Sequence, residues 1–459
     1  MSGGNRIAFH VKFIGIPNKS DVMTKTIHHQ LFYVMKGMRR IHARRNAIRM
    51  SIDENEHCNN VTETTARNSP LTSARRSLQE IHTIEIHGAD TSDYGKRRNS
   101  SVVDRSLSDG SLVLPSRKRS FDFTKNDQPL KVIVDVDAGV DDAMALILLL
   151  AADGIKLIQI MGITCTHGNT SVNNVCTNVL RLLGTAGRFD IPVYQGAEEP
   201  LILRETKCPI EFEHFHGLDG FGDLNFPHKP SMRMLQPENA VSALNNITSQ
   251  HKEKVSLVCL APLTNIALAM KTYAQFTSNL KDIFIMGGNS TDMKREVLLH
   301  SDRMGNITSA GEFNFYSDPE AAHIVLTRAR CPIFLLPWET CLNTDISLDW
   351  RFNTLGAVRN THMDLINAIE KKVWENSNFT SWLPCDAIIA AVLLRADIIK
   401  KSRKCHVTVE LHGSHTRGQV VLDHLQMKDP NVTLIEEVDS SLLKKLLLWA
   451  AGYPDSSFE

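Results

Sequence analysis

From Lys131 onward, short runs of β-branched and aliphatic residues alternate with longer apolar or amphipathic stretches. Apolar runs of about four to eight residues are typical of buried strands, and longer periodic runs are typical of helices. The pattern predicts strands at 132–134, 157–163, 192–194, 255–260, 283–286 and 332–336. It predicts helices at 143–152, 171–184, 237–249, 263–271, 318–328 and 385–394. This alternation predicts an α/β fold with an open, mostly parallel sheet and helices on both faces.

The C-terminal part departs from this alternation. Residues 407–411 and 419–423 alternate apolar and polar positions, which is typical of half-buried strands. The apolar run that begins at Leu434 leads into a last helix, for which Asp439 or Ser440 is the predicted N-cap.

The N-terminal part has a different composition. Residues 51–129 are rich in Ser, Thr, Asn, Asp and Arg and contain few aromatic residues, so they bury too little apolar surface to offset chain entropy. Residues 1–129 hold 21 Lys and Arg against 13 Asp and Glu, which leaves 30 against 38 for the rest of the chain. We therefore predict a disordered, basic, Ser-rich extension at 1–129 and a folded, acidic domain at 130–459. The acidic domain argues against nucleic-acid binding, which needs clustered cations.

Three basic-then-Ser patterns lie in the N-terminal extension: Arg75-Arg76-Ser77, Lys96-Arg97-Arg98-Asn99-Ser100 and Arg117-Lys118-Arg119-Ser120. They are typical of sites for basophilic kinases, although each is equally typical of solvated charge in a tail. No run of about 18 apolar residues predicts a membrane span, and no continuous apolar core predicts a secretory signal. Nine cysteines without a CxxC pair fit a reducing compartment, so the cytoplasm is predicted. The low acid content of the first residues leaves mitochondrial targeting as an alternative.

The strongest chemical signal follows the first predicted strand. Asp135-Val136-Asp137-Ala138-Gly139-Val140-Asp141-Asp142 places four carboxylates at the carboxyl end of that strand, where open α/β sheets bind ligands. Carboxylate oxygens are the ligands of hard cations such as Ca²⁺. Asp141 and Asp142 also open a helix, where acidic residues often serve as caps. Capping does not explain Asp135 and Asp137, so these two are expected to have a metal or base role.

This motif resembles the aspartate cluster of the inosine-uridine preferring nucleoside hydrolase family, usually DTDPGxDD. A strand followed by Asp-x-Asp is also typical of haloacid-dehalogenase-type phosphatases, but no convincing Lys and acidic pair for that class follows. Eight further motifs resemble the family in its order: Gly162–Asn169, His216–Gly222, Ala261–Asn265, Ile285–Gly288, Gly305-Asn306 with Gly311–Phe315, Asp318–Ala322, Cys385-Asp386 and Thr416–Gly418.

The resemblance implies calcium-dependent hydrolysis of the N-glycosidic bond of ribonucleosides to ribose and free base. It implies Ca²⁺ ligands at Asp137, Asp142, the carbonyl of Thr264 and Asp386, with Asp137 also taking a proton from the attacking water. It implies ribose contacts from Asp141, Asn169, Asn306, Glu312 and Asn314, and Met286 either on the sugar face or in the core. Family members usually form homodimers or homotetramers.

Two positions depart from the family pattern. Ala138 replaces the usual Pro, which is expected to change the stiffness of the turn. Cys385 stands where many members carry a His that protonates the departing base, as in a Cys subgroup of the family. His216 on the mobile loop is then a substitute acid, and Cys385 is alternatively a buried structural thiol. A member that binds Ca²⁺ and ribonucleoside but has lost turnover is the alternative function. Base preference depends on loops near 216–230 and 375–384.

Overall fold

The computed structural model describes residues 128–203, 215–289, 306–308, 310–375, 381–454 and 456–458. The predictions of disorder and of kinase sites in the N-terminal extension lie outside these residues. Part of the loop near 375–384, which the sequence links to base preference, also lies outside them, whereas the loop near 216–230 lies within them. Among the helices within these ranges, none combines the length and the apolar character that a bilayer crossing requires.

The strands are β1 (Leu130–Val136), β2 (Ile158–Cys165), β3 (Val193–Gln195), β4 (Val255–Cys259), β5 (Leu280–Met286), β6 (Ile333–Leu336), β7 (Ile346–Ser347), β8 (Ser381–Trp382), β9 (Ile399–Cys405), β10 (Val407–Val409), β11 (Val420–Leu422) and β12 (Val432–Val438). The helices are α1 (Val140–Gly154), α2 (Val172–Thr185), α3 (Ala240–Gln250), α4 (Thr264–Thr272), α5 (Phe313–Ser317), α6 (Pro319–Arg328), α7 (Trp338–Leu342), α8 (Thr361–Trp374), α9 (Cys385–Leu394) and α10 (Ser440–Ala451). Short 3-10 or π turns lie at Met232–Met234, Thr277–Asn279, Trp350–Thr354, Leu355–Ala357 and Ala396–Ile398.

Eight of these strands form one sheet in the order β3-β2-β1-β4-β5-β6-β12-β9. Every neighbouring pair is parallel except β12 and β9, which are antiparallel. The open, mostly parallel sheet predicted from the sequence is therefore confirmed. The chain runs outward from β1 to β3 and then returns to β4 on the other side of β1. Ligands of such sheets bind at this change of direction, outside the carboxyl ends of the strands.

Helices cover both faces of the sheet, as predicted. Val132 and Val134 of β1 pack into a core with α1, α2, α8, α9 and α10. Ile133, which lies between them, packs into a second core with residues of α4 and α6. Side chains alternate between the two faces of a strand, so the continuous apolar run of β1 is buried on both sides.

The elements that were not predicted include β9 and α8. The strand β9 has the sequence IKKSRKC, whose charged residues hide any apolar alternation because it lies at the sheet edge. The helix α8 buries four apolar side chains at helical spacing, and this spacing is visible in the sequence: Met363, Ile366, Ile369 and Val373. On α8, Glu370 accepts a hydrogen bond from Arg351 at 2.6 Å, and both side chains are fully buried.

Candidate active site

The acidic turn connects β1 to α1 and is folded around its own carboxylates. Asp142 is the third residue of α1, and its Oδ2 accepts a hydrogen bond from the backbone N–H of Gly139 at 2.8 Å. Asp137 and Asp142 are fully buried. Ala138 has φ of +44°, a left-handed conformation that a proline ring does not allow. The replacement of the family's usual Pro therefore permits a different backbone conformation, in addition to the expected change in stiffness.

Asn169, which follows β2, binds the acidic turn from the neighbouring strand end. Its backbone N–H donates to Asp137 Oδ2 at 2.8 Å, and its side-chain amide donates to Asp137 Oδ1 at 3.0 Å and to Asp142 Oδ2 at 3.4 Å. A Cβ on the preceding Gly168 would collide with the Asp137 carboxylate, so this close approach requires glycine.

Asp386 brings a further carboxylate from the start of α9. Asp141, Asp142 and Asp386 each offer a carboxylate oxygen within 4.8 Å of the other two. The Asp142 carboxyl also lies within hydrogen-bonding reach of Asp137. The sequence-predicted metal ligands Asp137, Asp142 and Asp386 therefore do lie together, and Asp141, which was assigned to ribose, belongs to the same group.

The donor set and its charge state fit a hard divalent cation. One oxygen each of Asp141, Asp142 and Asp386 is buried and has no hydrogen-bond partner among the described residues. Burial, and then the charges of neighbouring acids, raise the pKa of Asp142 to about 8 and the pKa values of Asp137 and Asp386 well above their usual range. Carboxylates this close and this buried repel one another unless they are protonated or bind a cation. Oxygen donors of this kind suit Ca²⁺.

Asp135, which the sequence also linked to a metal or base role, has hydrogen-bond partners on one oxygen, and its Oδ2 is buried without a partner among the described residues. Its Oδ1 accepts hydrogen bonds from Thr164 Oγ1 at 2.5 Å and from Asn265 Nδ2 at 2.8 Å. Burial raises the pKa of Asp135 to about 7, and these two hydrogen bonds oppose the increase. These hydrogen bonds connect β1 to β2 and to α4.

Thr264 is the first residue of α4, at the end of the turn that follows β4. Its side chain is bound from two sides, because Oγ1 lies 2.9 Å from His167 Nε2 and 2.7 Å from Asp318 Oδ2. Neither His167 nor Asp318 was singled out from the sequence as a functional residue. The sequence signal for His167 was its position immediately before the Gly168-Asn169 pair.

The predicted ribose residues after β5 form a connected group. Glu312 caps α5 and accepts backbone hydrogen bonds from Asn314 at 2.9 Å, Phe315 at 3.1 Å and Gly288 at 2.7 Å. Burial raises the pKa of Glu312 to about 7, and the charge of Asp141 contributes to the increase. The amide of Asn314 donates to the carbonyls of Leu260 at 3.0 Å and Met286 at 3.2 Å.

The other two predicted substrate residues adjoin this group. Asn306 Oδ1 accepts a hydrogen bond from the backbone N–H of Phe313 at 2.8 Å. Met286 is buried at the end of β5, and its Sδ lies 3.6 Å from Asn314 Nδ2. Its position is compatible with both of its expected roles, in the core and beside a sugar.

Cys385 is the first residue of α9 and is buried immediately before Asp386. Its thiol lies in hydrogen-bonding contact with the thiol of Cys341 on α7. This contact, and then burial, raise the pKa of Cys385 well above its usual range. Both cysteines are free thiols. Cys385 therefore lies next to the acidic residue Asp386. Its contact with the thiol of Cys341 was not indicated by the sequence.

His216 also reaches the acidic turn and is not a surface residue. Its Nδ1 accepts a hydrogen bond from the backbone N–H of Val140 at 3.1 Å, and its Nε2 lies 3.9 Å from Asp141 Oδ1. Because Nδ1 is an acceptor, the neutral ring carries its proton on Nε2. Burial lowers the pKa of His216. Hydrogen bonds from Asn178 to the Asp219 carbonyl at 2.7 Å and from Thr170 to the Leu218 carbonyl at 2.8 Å bind the same loop.

Comparisons with known proteins agree with this geometry. The model of a family described as inosine-uridine preferring nucleoside hydrolase matches residues 132–445. An uncharacterized protein of Schizosaccharomyces pombe is 31% identical over 339 residues, 70% of this chain and 99% of that protein. The pyrimidine-specific ribonucleoside hydrolase RihA of Photobacterium profundum is 33% identical over 316 residues, 67% of this chain and 94% of that protein. A solved structure named inosine-guanosine nucleoside hydrolase has a TM-score of 0.61 at 30% identity and covers 70% of this chain and 99% of its own.

Proposed function

Because the chain belongs to the inosine-uridine preferring nucleoside hydrolase family, we propose that its acidic turn binds calcium and activates water for ribonucleoside cleavage. The family makes the chain a nucleoside hydrolase, an enzyme that breaks the N-glycosidic bond of ribonucleosides. The observation that carries the finer proposal is the group of Asp141, Asp142 and Asp386, whose buried oxygens lack partners among the described residues.

The calcium ligands in this proposal are Asp137, Asp142, Asp386 and the carbonyl of Thr264. The unpartnered oxygen of Asp141 makes it a further candidate ligand, in addition to its proposed contact with ribose. When bound, calcium supplies the positive charge that neutralises these acids and makes a nearby water easier to deprotonate near neutral pH. The ligand atoms are all oxygens, which favours Ca²⁺ over softer ions such as zinc.

Asp137 is the proposed general base. Asn169 donates to each of its oxygens, which fixes the carboxylate while leaving further lone pairs for a water proton. In the reaction the bond from the sugar C1′ to the base nitrogen breaks, and its electron pair leaves with the base. The water oxygen bonds to C1′, one water proton moves to Asp137, and the departing base takes a proton from a leaving-group acid or from solvent.

Asp141, Asn169, Asn306, Glu312 and Asn314 are the proposed ribose contacts. Three backbone N–H groups hold the Glu312 carboxylate in one orientation, so little side-chain freedom is lost when it accepts from a ribose hydroxyl. A buried site built for hydroxyl groups discriminates against deoxy sugars, because the analogue leaves polar groups unpaired. Met286 is proposed to line the sugar.

Cys385 and His216 are the two proposed sources of leaving-group assistance. Contact with Cys341 and burial raise the pKa of Cys385, so it stays a neutral thiol that donates only weak hydrogen bonds. The neutral His216 ring carries its proton on Nε2, on the side of Asp141. His216 contacts the acidic turn, and Cys385 directly precedes the proposed ligand Asp386.

The family association and the composition support the remaining proposals. We propose a homodimer or homotetramer, a cytoplasmic location, and phosphorylation of the N-terminal extension by a basophilic kinase. The similar proteins favour neither purines nor pyrimidines as the base, because one is named pyrimidine-specific and another is named for inosine and guanosine. Binding of Ca²⁺ and ribonucleoside without turnover remains the alternative function.

The test is a panel of purine and pyrimidine ribonucleosides assayed for released reducing sugar, with and without a calcium chelator. We expect release that the chelator abolishes and added calcium restores. Asp386→Asn should abolish release, whereas Asp397→Asn, which changes an exposed acid just after α9, should not. Nucleoside binding without sugar release would support the binding-only alternative. Stoichiometric zinc without calcium in the purified protein would contradict the metal assignment.

A further inference from the structure

We propose that His167 and Asp318 are positioning residues that hold the Thr264 side chain and thereby set the calcium affinity of the site. This inference rests on the proposed role of the Thr264 carbonyl as a calcium ligand. It concerns the side chain of Thr264, which contributes no ligand atom in that role.

The three side chains form a chain of hydrogen bonds beside the acidic turn. Thr264 Oγ1 lies 2.7 Å from Asp318 Oδ2 and 2.9 Å from His167 Nε2. Thr264 and Asp318 are fully buried, and His167 is mostly buried. His167, Thr264 and Asp318 follow β2, β4 and the short helix α5 respectively, so the network connects separate segments at the carboxyl edge of the sheet.

The direction of each hydrogen bond can be assigned. The backbone N–H groups of Leu201 and Ala321 donate to Asp318 at 2.9 Å and 3.0 Å, so its carboxylate acts as an acceptor. The single hydroxyl proton of Thr264 is therefore donated to Asp318. Thr264 Oγ1 can only accept from His167, which requires a proton on His167 Nε2.

Both outer members of the network are themselves fixed. Asp318 caps α6 through the backbone N–H of Ala321. The backbone N–H of His167 donates to the carbonyl of Ala197 at 3.0 Å. A β-branched side chain such as Thr has few accessible χ1 states, so holding its Oγ1 restricts the conformation of the whole residue. We expect this restriction to reduce the orientations open to the Thr264 carbonyl before any ion binds.

Such support has a measurable effect on affinity. Removing a group that orients a metal ligand typically weakens metal binding by about 10–100-fold, although no ligand is lost. Thr264→Val keeps the backbone carbonyl and the branched shape but removes the hydroxyl. We expect this change to weaken Ca²⁺ binding by about tenfold or more. Thr264→Ser keeps the hydroxyl and should bind Ca²⁺ within about threefold of the unchanged protein, which is a smaller loss than that range.

The experiment is a calorimetric titration of Ca²⁺ into the metal-free full-length chain. His167→Ala should weaken binding by no more than Thr264→Val, which also removes the hydrogen bond to Asp318. His167→Gln, whose amide supplies a donor at similar reach, should restore most of the affinity. The double variant should bind no more weakly than Thr264→Val alone, because Thr264→Val already removes the hydrogen bond that His167→Ala removes. His323→Ala is the control, since His323 makes a similar 3.1 Å contact with Thr408 away from the acidic turn.

Circular dichroism and thermal unfolding of each metal-free variant show whether it remains folded. If the unchanged chain does not bind Ca²⁺, the proposed metal and this inference both fail. If it binds but folded Thr264→Val binds equally well, only this inference fails. Equal loss of affinity in His167→Gln and His167→Ala would also overturn it, because a donor would then not be what His167 contributes.

Discussion

Asn169 holds both carboxylate oxygens of Asp137, with its backbone N–H 2.8 Å from Oδ2 and its side-chain nitrogen 3.0 Å from Oδ1. The residue that follows β2 thus fixes the acid that follows β1. Adjacent parallel strands place their carboxyl ends side by side, which explains why residues 32 positions apart in sequence meet here. The arrangement gives the proposed base a single orientation.

Asp137→Asn should abolish hydrolysis while the protein stays folded. The change keeps the shape of the side chain but removes a proposed calcium ligand and the proposed proton acceptor, so kcat should fall by several orders of magnitude. Reducing-sugar release from the best nucleoside measures the effect. Asp190→Asn, an exposed acid paired with Arg188, is the matched control and should retain activity. Activity of Asp137→Asn within about tenfold of the unchanged enzyme would show that another group activates the water.

The metal-free enzyme should lose stability as pH rises from about 5 to about 8. Burial raises the folded-state pKa of Asp142 to about 8 and that of Glu312 to about 7. Both values lie above the roughly 4 expected in the unfolded chain. The folded state therefore binds these protons more tightly. The resulting stability is fully present below the unfolded pKa and is lost as pH rises through the folded pKa.

Thermal unfolding at pH 5.5 and pH 8, with chelator and with calcium, measures this dependence. Calcium should remove most of it, because a bound cation compensates the ionised acids. Asp142→Asn in chelator should also reduce the pH dependence, because it replaces one titrating acid. A metal-free protein that unfolds at the same or a higher temperature at pH 8 would contradict the prediction.

Ala138→Gly should stabilise the fold by up to about 1 kcal/mol, because a non-glycine residue in the left-handed region costs about 1–2 kcal/mol. Part of that gain is offset by the greater freedom of glycine in the unfolded chain. Ala138→Pro should destabilise the fold and weaken calcium binding, since proline fixes φ near −65°. Urea denaturation measures both effects. Lys156→Gly, at a second left-handed position after α1, should give a similar gain without affecting calcium. No gain in Ala138→Gly would mean that the turn is not strained.

Cys385→Ser should reduce kcat more for natural nucleosides than for p-nitrophenyl riboside, whose leaving group needs no proton. The reason is the position of the thiol beside the acids, and the measurement is the ratio of the two kcat values. Cys341→Ser tests the paired thiol, and it should affect both substrates equally if Cys341 only supports packing. A small, equal effect of Cys385→Ser on both substrates would assign Cys385 to packing and direct attention to His216.

A fragment of residues 126–459 should match the full chain in kcat/KM. The site residues all lie after Lys131, and the composition of the N-terminal extension is that of a disordered tail. The same reducing-sugar assay compares the two proteins. A fragment that folds and binds calcium but is inactive would refute the prediction.

Much of the fold followed from the sequence because its signals are local. The apolar run of β1 and the periodic run of α1 specify their elements without help from distant residues, and parallel alternation follows from their order. The acidic turn could be located because it directly follows a predicted strand. The family motifs then supplied the candidate residues, of which Asn169, His216 and Asp386 lie against this turn. The pattern of apolar residues did not predict β9, because this strand lies at the edge of the sheet and consists largely of charged residues.

Only the tertiary structure decided how the candidate residues are held. The left-handed backbone of Ala138, the pairing of Cys385 with Cys341 and the partners of Asp135 are invisible in the sequence. The contacts of Thr264 with His167 and Asp318 span 97 and 54 positions of the chain. Periodicity reports which face of an element is buried, but hydrogen-bond partners depend on which strand ends become neighbours. The sequence by itself therefore determined the elements and the acids at the end of β1, whereas strand order decided which side chains orient those acids.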